Sequence, residues 1–184
     1  KTAYEIVSRD WSSDVCSSDL GLTADITALT LNVTGASAAN KTYDALTAAT
    51  ISGGAIAPIS GDTVTLSTAG RAGTFANKNV GTAKAVTVTG YTISGADAAN
   101  YALVQPTGLT ADITQLTLNV TGASAANKTY DALTTATISG GAIAPISGDT
   151  VTLSTAGRAG TFANKNVGTA KAVTVTGYSI SGAD

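Results

Sequence analysis

From residue 21 onward the chain alternates apolar and polar residues with the period of two that is typical of half-buried β-strands. In LTLNVT (29–34) the leucines and the valine occupy every second position, and the polar residues occupy the positions between them. DTVTLS (62–67) has the same pattern. We expect each strand to bury its apolar face and to expose its threonines. The predicted core therefore includes Leu31, Val33, Val64, Leu66, Val86 and Val88.

Breaks in this alternation predict where strands bend or end. In KAVTVTGYTISG (84–95) the apolar parity flips at Gly90, which predicts a bulge or bend at that glycine. YALVQP (101–106) and LTADIT (109–114) are two further candidate strands, and Pro106 closes the first of them. Short strands between Gly, Asn, Asp and Pro, without a long helical stripe, predict an all-β sandwich or barrel.

The chain contains one long internal repeat. Residues 21–97 and 108–184 align without a gap at an offset of 87, and only three aligned pairs differ. These pairs are Ala28 and Gln115, Ala48 and Thr135, and Thr92 and Ser179. This period is too long for a solenoid and close to the roughly 100 residues of an immunoglobulin-like sandwich. We therefore expect tandem immunoglobulin-like or β-sandwich-like repeat domains.

The repeat also sets the expected domain boundaries. Residues 28–114 form a complete repeat domain, and residues 115–184 form a second, C-terminally truncated copy that stops before the equivalent of residues 98–114. Residues 21–27 (GLTADIT) duplicate the closing segment 108–114, so we expect them to be the remnant last strand of an upstream repeat. We expect the truncated copy to expose apolar surface and an unpaired strand edge, and to be less stable than the first.

The first 20 residues use a different set of amino acids. They hold the only Trp and the only Cys of the chain, and the similarity to the repeat stops abruptly between Leu20 and Gly21. Residues 1–5 and 10–19 resemble the translation of a short-read sequencing adapter, and the gap between them fits a sample index. We therefore expect residues 1–20 to be an adapter-derived artefact and exclude them from reasoning about fold and function.

The composition of the remaining chain argues against several functional classes. Residues 21–184 contain no Cys, His, Met, Trp or Glu, and their eight Asp balance six Lys and two Arg. Disulfides and thiolate metal sites are impossible without cysteine. No motif joins the remaining polar residues into a catalytic group, so we expect no enzyme activity and no cofactor. Without a basic cluster or a long apolar run, we expect neither nucleic-acid binding nor membrane insertion.

KTYDALTAAT (41–50) begins a series of motifs that resembles a known family. With GDTVTL (61–66), TFANKNVGTAKAVTVTGYTISGADAANYAL (74–103) and LTADIT (109–114), it is similar to the YDG-type repeat domain of bacterial filamentous-haemagglutinin-like surface adhesins. The resemblance extends over most of the second repeat. The family-motif residues, which we expect to be structural, are Lys41, Tyr43 and Asp44, and in the second repeat Lys128, Tyr130 and Asp131.

The resemblance implies a function but contains one departure. The family usually has glycine after Tyr-Asp, whereas Ala45 and Ala132 stand there, so we expect a locally different turn if that glycine supplies a positive φ. The family implies a non-enzymatic stalk or spacer, secreted to the bacterial cell surface, whose partners are the neighbouring repeats of the same chain. The alternative is a weak, repeated module that binds a host carbohydrate or protein through avidity.

Several charged residues suggest other kinds of site. Asp44, Asp62 and Asp97 could bind calcium through their oxygens, but no EF-hand-like spacing occurs, and Asp commonly forms turns. Lys41 or Lys78 could take part in an intramolecular crosslink with Asn or Asp. The turn interpretation is the simpler one for the aspartates, and the crosslink has no Glu to assist it.

The aromatic residues allow two interpretations. Tyr43, Phe75, Tyr91 and Tyr101 could form a sugar-binding platform. Aromatic residues make up only 5% of the chain, so each repeat needs them for burial. We therefore expect them in the core.

Overall fold

The computed structural model describes residues 23–184. The expected adapter-derived segment, residues 1–20, lies outside the described residues. Within the described part the protein is all-β, without an α-helix and with one short 3-10 helix at Ala98–Asn100. The two sequence repeats are tandem units rich in β-strands, as the alternating pattern predicted.

The first repeat contains eleven strands, of which β8 is the longest with nine residues. Most are separated by short segments that contain Gly, Pro, Asn or Asp, residues that favour turns. Their bounds are β1 (Leu29–Asn32), β2 (Thr34–Ala38), β3 (Lys41–Thr42), β4 (Ala48–Ala49), β5 (Ile51–Ala55), β6 (Thr65–Ser67), β7 (Ala72–Phe75), β8 (Gly81–Thr89), β9 (Thr92–Ser94), β10 (Tyr101–Val104) and β11 (Leu109–Thr114).

Five of these strands form the main sheet, in the order β3-β11-β8-β7-β4. The closing strand β11 lies between β8, with which it pairs antiparallel, and β3, with which it pairs parallel. Three two-stranded sheets complete the repeat: the parallel pair β1–β10 and the antiparallel pairs β2–β5 and β6–β9. Because the last strand is internal to the main sheet, a repeat depends on its own C-terminal residues.

The core of the first repeat is centred on Phe75 and Ile113, each only 1% exposed. Four of the six predicted core residues are buried, namely Leu31, Val33, Val86 and Val88. The prediction overstated the burial of Val64 and Leu66, which are only partly buried. Leu66 lies in β6, which pairs with β9 outside the main sheet, and Val64 precedes that strand. The threonines that alternate with these residues are exposed, so the predicted strand register is confirmed.

The bend predicted at Gly90 is present. Strand β8 ends at Thr89 and β9 begins at Thr92, and Gly90 between them has a φ of +87°. A Cβ atom at this position would collide with the carbonyl oxygen of Gly70. Glycine is therefore required for both its dihedral angle and the close approach of the two segments.

The second repeat forms seven strands within residues 115–184. They pair as the sheets β12–β14, β13–β16–β17 and β15–β18, the counterparts of β2–β5, β4–β7–β8 and β6–β9. Their bounds are β12 (Thr121–Ala125), β13 (Thr135–Ala136), β14 (Ile138–Ala142), β15 (Val151–Ser154), β16 (Ala159–Phe162), β17 (Val173–Thr176) and β18 (Ser179–Gly182).

The second repeat lacks the pairings that β10 and β11 make in the first repeat. Residues 116–119 and 128–129, the equivalents of β1 and β3, form no strand, because their partners in the first repeat are β10 and β11. The equivalent of β8 is shortened to Val173–Thr176 for the same reason. Ile138 is the only buried hydrophobic residue among residues 115–184, whereas the core of the first repeat contains Phe75, Ile113 and several other buried side chains.

The remnant strand expected at residues 21–27 is not formed over its described part. Residues 23–28 belong to no strand, and Ile26 is fully exposed, whereas its equivalent Ile113 is buried. Strand β11 is held by β3 and β8 of its own repeat, and no copy of the repeat precedes residue 21 in this sequence. This segment has no pairing partner among residues 23–184, and its origin as the remnant last strand of an upstream repeat stays a prediction.

Candidate functional site

Lys41 and Asp44 of the KTYD motif hold the turn that follows β3. The Nζ atom of Lys41 lies 2.6 Å from Oδ1 of Asp44 and also donates to the carbonyl oxygens of Leu46 at 2.7 Å and Ala48 at 3.0 Å. The backbone amide of Leu46 donates to the same Oδ1 atom at 2.9 Å, as in an Asx-turn. The hydrogen bond from Lys41 lowers the pKa of Asp44, because it favours the charged carboxylate.

Ala45 lies inside this turn and keeps the conformation that glycine would favour. Both Ala45 and Ala132 have a φ of +63°, in the left-handed region that alanine rarely adopts. The expectation of a locally different turn is therefore wrong, since the alanine itself takes the positive φ. The contacts of Lys41 and Asp44 on either side hold the strained residue in place.

The second repeat contains the same lysine–aspartate turn. Nζ of Lys128 lies 2.7 Å from Oδ1 of Asp131 and donates to the carbonyl oxygen of Leu133 at 2.9 Å. The amide of Leu133 donates to Asp131 at 2.9 Å, and Lys128 lowers the pKa of that carboxyl through its hydrogen bond. In both repeats the lysine and the aspartate of the motif therefore hold a local turn.

Tyr43 of the motif points away from this turn and reaches the second repeat. Its hydroxyl donates a 2.9 Å hydrogen bond to Oδ1 of Asp149, while its backbone amide donates to the carbonyl oxygen of Thr114 at 2.8 Å. The equivalent Tyr130 has no repeat after it in this chain, and it is 56% exposed. The motif tyrosine is thus a contact between repeats in the first copy and an exposed side chain in the second.

Lys78 completes the contact between the repeats. Its Nζ atom lies 2.9 Å from Oδ1 of Asp149 and 2.7 Å from Oδ1 of Asp184, and 5.7 Å from the centre of the Tyr43 ring. The side chain of Asp149 is only 5% exposed, so its charge is screened little by solvent and needs the lysine. Hydrogen bonds with Asp184 and Asp149 raise the pKa of Lys78, because they favour its charged form.

Asp184 is held from both sides of the contact. Lys78 donates to its Oδ1 atom, and the backbone amide of Thr150 donates to its Oδ2 atom at 2.9 Å. Both hydrogen bonds lower the pKa of Asp184, and the one from Lys78 has the larger effect. The carboxylate therefore joins a turn of its own repeat to a lysine of the preceding one.

Beside these charges the two repeats enclose a cleft of about 490 Å³. The tyrosine of the motif and Asp149 lie on its wall, and both repeats contribute apolar side chains to it. The apolar residues that line it are Val80, Leu116, Leu118, Pro145, Ile146, Val151, Ile180 and Ala183. The contact between repeats thus combines one lysine, two carboxylates and one tyrosine with a partly open apolar cleft.

The other candidate residues serve as turn and core residues. Asp62 accepts a 2.6 Å hydrogen bond from the hydroxyl of Tyr101, and Asp97 accepts one of 2.7 Å from the amide of Thr63. Within residues 23–184 no group of three or more acidic, histidine or cysteine side chains is arranged to hold a metal ion. Nor does that part of the chain contain a helix of the length and apolarity needed to cross a membrane.

Three of the four aromatic residues lie in the core, as predicted. Phe75, Tyr91 and Tyr101 are 1%, 2% and 7% exposed, so they form no surface platform. The Tyr91 hydroxyl donates to the carbonyl oxygen of Gly53 at 2.8 Å, which satisfies its polar end inside the fold. The fourth, Tyr43, is the contact with the next repeat.

Sequence reasoning named Lys78 but missed the carboxylates that bind it. Asp149 and Asp184 are the equivalents of Asp62 and Asp97 at the offset of 87, which the sequence suggested only as calcium or turn residues. One signal was available, because charged residues form only 12% of the chain. A lysine and two aspartates that recur in both repeats are therefore candidates for a contact that recurs with them.

Two segments of the chain, residues 27–108 and 114–184, match the family model described as YDG domain. The segments coincide with the two repeats and together cover most of the chain. Comparison with curated proteins and with solved structures finds no match. The chain therefore belongs to the YDG domain family, with one domain in each of its two repeats.

Proposed function

We propose that the chain is a non-enzymatic spacer within a large bacterial surface adhesin, secreted to the cell surface, in which successive YDG domains dock on one another in a fixed orientation. The observation that carries the proposal is the ion-pair contact of Lys78 with Asp149 and Asp184, to which Tyr43 adds a hydrogen bond. A fixed orientation lets a series of small domains hold a distant binding region away from a surface.

The contact can recur at every boundary between repeats. The second repeat has Lys165 and Tyr130 at the positions of Lys78 and Tyr43, and the first repeat has Asp62 and Asp97 at the positions of the two carboxylates. Each repeat thus presents a basic surface to the domain after it and an acidic surface to the domain before it. Near-identical repeats with complementary ends are suited to a regular array.

The connection between the repeats is short, which also supports a stiff spacer. Strand β11 ends at Thr114, and the second repeat begins at Gln115 without a Gly/Ser-rich linker. Flexible linkers owe their freedom to such residues, and this boundary has none of them. The backbone bond from Tyr43 to Thr114 fixes the last residue before the boundary.

The proposal predicts that Lys78→Ala loosens the arrangement of the repeats, whereas Lys165→Ala does not. Lys165 is the matched control, because it occupies the equivalent position and has no ion pair among residues 23–184. Spin labels on cysteines at the exposed positions Thr87 and Thr174, with Cys16 replaced by Ser, would report the inter-repeat distance by pulsed electron resonance. We expect a narrow distribution that broadens only with Lys78→Ala, and broad distributions in all three proteins would contradict the proposal.

A binding screen separates the spacer from a repeated binding module. We expect the chain to retain no glycan or extracellular-matrix protein on an array, because a spacer acts through its geometry. Specific binding that Tyr130→Phe or Lys165→Ala abolishes would instead support the module interpretation. In that case the exposed family-motif surface of the second repeat would be the binding site.

A further inference from the structure

Two strands near the start of the first repeat pair with two strands near its end. Strand β1 (Leu29–Asn32) pairs with β10 (Tyr101–Val104), and β3 (Lys41–Thr42) pairs with β11 (Leu109–Thr114). Both pairs are parallel, whereas every other strand pair among residues 28–114 is antiparallel. The fold therefore joins the two ends of the repeat through parallel pairs alone.

The parallel direction decides how a pull on the chain acts on these pairs. The pull reaches β1 at its amino-terminal end, and it reaches β10 at its carboxyl-terminal end, through residues 105–108 and β11. Because the two strands run in the same direction, these are opposite ends of the pair, so the force slides one strand along the other. All hydrogen bonds of the pair then resist together. In an antiparallel pair the same pull would act at one end and break the bonds one after another.

The pair β1–β10 is the first to carry such a pull. Strand β1 is the first strand of the repeat, and β10 leads through residues 105–108 into the last strand, β11. Four residues of each strand are in register, and the amide of Val33 adds a 3.0 Å hydrogen bond to the carbonyl oxygen of Val104. Leu31 and Tyr101 are 5% and 7% exposed, so sliding of the strands would also disrupt apolar packing.

Side chains at both ends of β10 hold it to the rest of the repeat. The hydroxyl of Tyr101 donates to Oδ2 of Asp62 at 2.6 Å and accepts from the backbone amide of Ile59 at 2.9 Å. Just after the strand, the side-chain amide of Gln105 donates to the carbonyl oxygen of Tyr91 at 2.9 Å, and its Oε1 atom accepts from the amide of Tyr91 at 3.0 Å. Strand β10 is therefore held in place while β1 is pulled.

The pair β3–β11 carries the pull once β1 has been released. Its paired residues are flanked by Tyr43, whose amide donates to the carbonyl oxygen of Thr114 at 2.8 Å, and by Asn40, whose Oδ1 atom accepts from the amide of Asp112 at 2.7 Å. Ile113 of β11 is 1% exposed. Because β11 is an internal strand of the main sheet, its withdrawal would open that sheet.

We propose that the first repeat carries tension along the chain, and that the parallel pairs β1–β10 and β3–β11 resist this tension in shear, one after the other. The inference rests on the proposed spacer function, since a spacer between a surface and a bound ligand is pulled from its two ends. It adds a mechanical role that a fixed orientation does not require. Rupture under force is governed by the rate of unfolding, so the resistance comes from the barrier to sliding and not from equilibrium stability.

Stretching single molecules in two geometries with optical tweezers tests the proposal. In the full chain with Cys16 replaced by Ser, handles on Ala28→Cys and Gln115→Cys pull β1–β10 in shear, since both exposed positions lie just outside the first repeat's strands. Handles on Ala28→Cys and Asn100→Cys pull the amino-terminal ends of both strands and open the pair from one end. We expect a several-fold lower first rupture force in the second geometry. Equal rupture forces in the two geometries would overturn the proposal.

Charges placed across β1–β10 provide a second measurement. Thr30 and Ala102 lie opposite each other, and both are exposed. Thr30→Asp with Ala102→Asp puts like charges across the pair, whereas the matched control, Thr30→Lys with Ala102→Asp, puts opposite charges there. Between residues 28 and 115 we expect the like-charge protein to rupture at the lower force, with a difference that shrinks in concentrated salt. Equal rupture forces at low salt would show that β1–β10 does not carry the tension and would overturn the proposal.

Lys78→Ala separates this proposal from the proposed function. It removes the docking contact between the repeats and leaves both parallel pairs intact. We expect an unchanged rupture force between residues 28 and 115, together with a broader inter-repeat distance distribution. A lower rupture force in Lys78→Ala would show that docking carries the tension and would overturn the proposal. A narrow distance distribution in a chain whose rupture force is the same in both geometries would contradict the shear mechanism alone.

Discussion

Ala45 shows how a single residue stores strain in this fold. Its φ of +63° places the Cβ atom in a conformation that costs a non-glycine residue about 1 kcal/mol or more. Lys41 and Asp44 bind the backbone on either side of it and keep the turn closed. The turn geometry is therefore imposed by the neighbours of Ala45.

We accordingly expect Ala45→Gly to stabilise the first repeat by up to about 1 kcal/mol, because relief of strain outweighs the added freedom of the unfolded chain. Ala132→Gly is the matched change in the second repeat. Denaturant unfolding followed through signals of the first repeat would measure the effect. A loss of stability on Ala45→Gly would show that the turn is not strained.

Two isoleucines in identical sequence contexts should differ completely in their effect on stability. Ile113→Ala removes a side chain that is 1% exposed and should cost about 2 to 5 kcal/mol in the free energy of unfolding. Ile26→Ala changes a fully exposed side chain and should change the free energy of unfolding by no more than about 0.5 kcal/mol. Equal costs measured by denaturant unfolding would contradict the assignment of β11.

The sequence allowed some of these residue roles to be predicted and not others. Lys41 and Asp44 are three residues apart in a turn, so a family motif was enough to mark them as structural. Lys78 and Asp149 are 71 residues apart, and no local sequence pattern predicts which carboxylate a lysine will bind. The repeat offset shows that both recur, but only the fold places them in contact.

The strands themselves could be predicted from the sequence, but several of their pairings could not. The alternation of apolar and polar residues predicted the strands β1, β8, β10 and β11 and the bend between β8 and β9. Each of these features depends on residues that are adjacent in the sequence. The alternation did not predict the parallel pairs β1–β10 and β3–β11. An alternating pattern shows which face of a strand is buried, but it does not show which strand lies beside it. Nor does it name a partner for the remnant strand expected at residues 21–27, whose described part is in no strand.

The missing strands should make the second repeat locally unstable. Residues 81–85 are paired in β8, whereas their equivalents 168–172 are in no strand, so we expect amide exchange to be slow in the first segment and fast in the second. Appending a copy of residues 98–114 after Asp184 should make the two segments equal. Equal protection of the two segments without the extension would contradict this account.

The contact between the two repeats should depend on pH. The pKa of Asp184 is lowered from 3.8, so its contribution is complete above that value and is lost as the pH falls through the lowered pKa. The pKa of Lys78 is raised from 10.5, so its contribution is complete below that value and is lost only in more alkaline solution. We expect constant docking between these limits and release in acid.

The inter-repeat distance measured by pulsed electron resonance against pH would test this expectation. Lys78→Ala serves as the control, because it removes the group that perturbs Asp184 and should give a broad distribution at every pH. A distribution of the unaltered chain that is equally narrow below the lowered pKa of Asp184 would mean that the ion pairs do not hold the repeats.

Residual dipolar couplings would test whether the two YDG domains dock in one fixed orientation through Lys78, Tyr43, Asp149 and Asp184. One repeat is isotopically labelled at a time, so that the near-identical signals of the two repeats are separated. If the docking is fixed, both repeats report the same alignment tensor, and Lys78→Ala makes the two tensors differ in magnitude. Different tensor magnitudes for the two repeats of the unaltered chain would show that they reorient independently, and would contradict the claim.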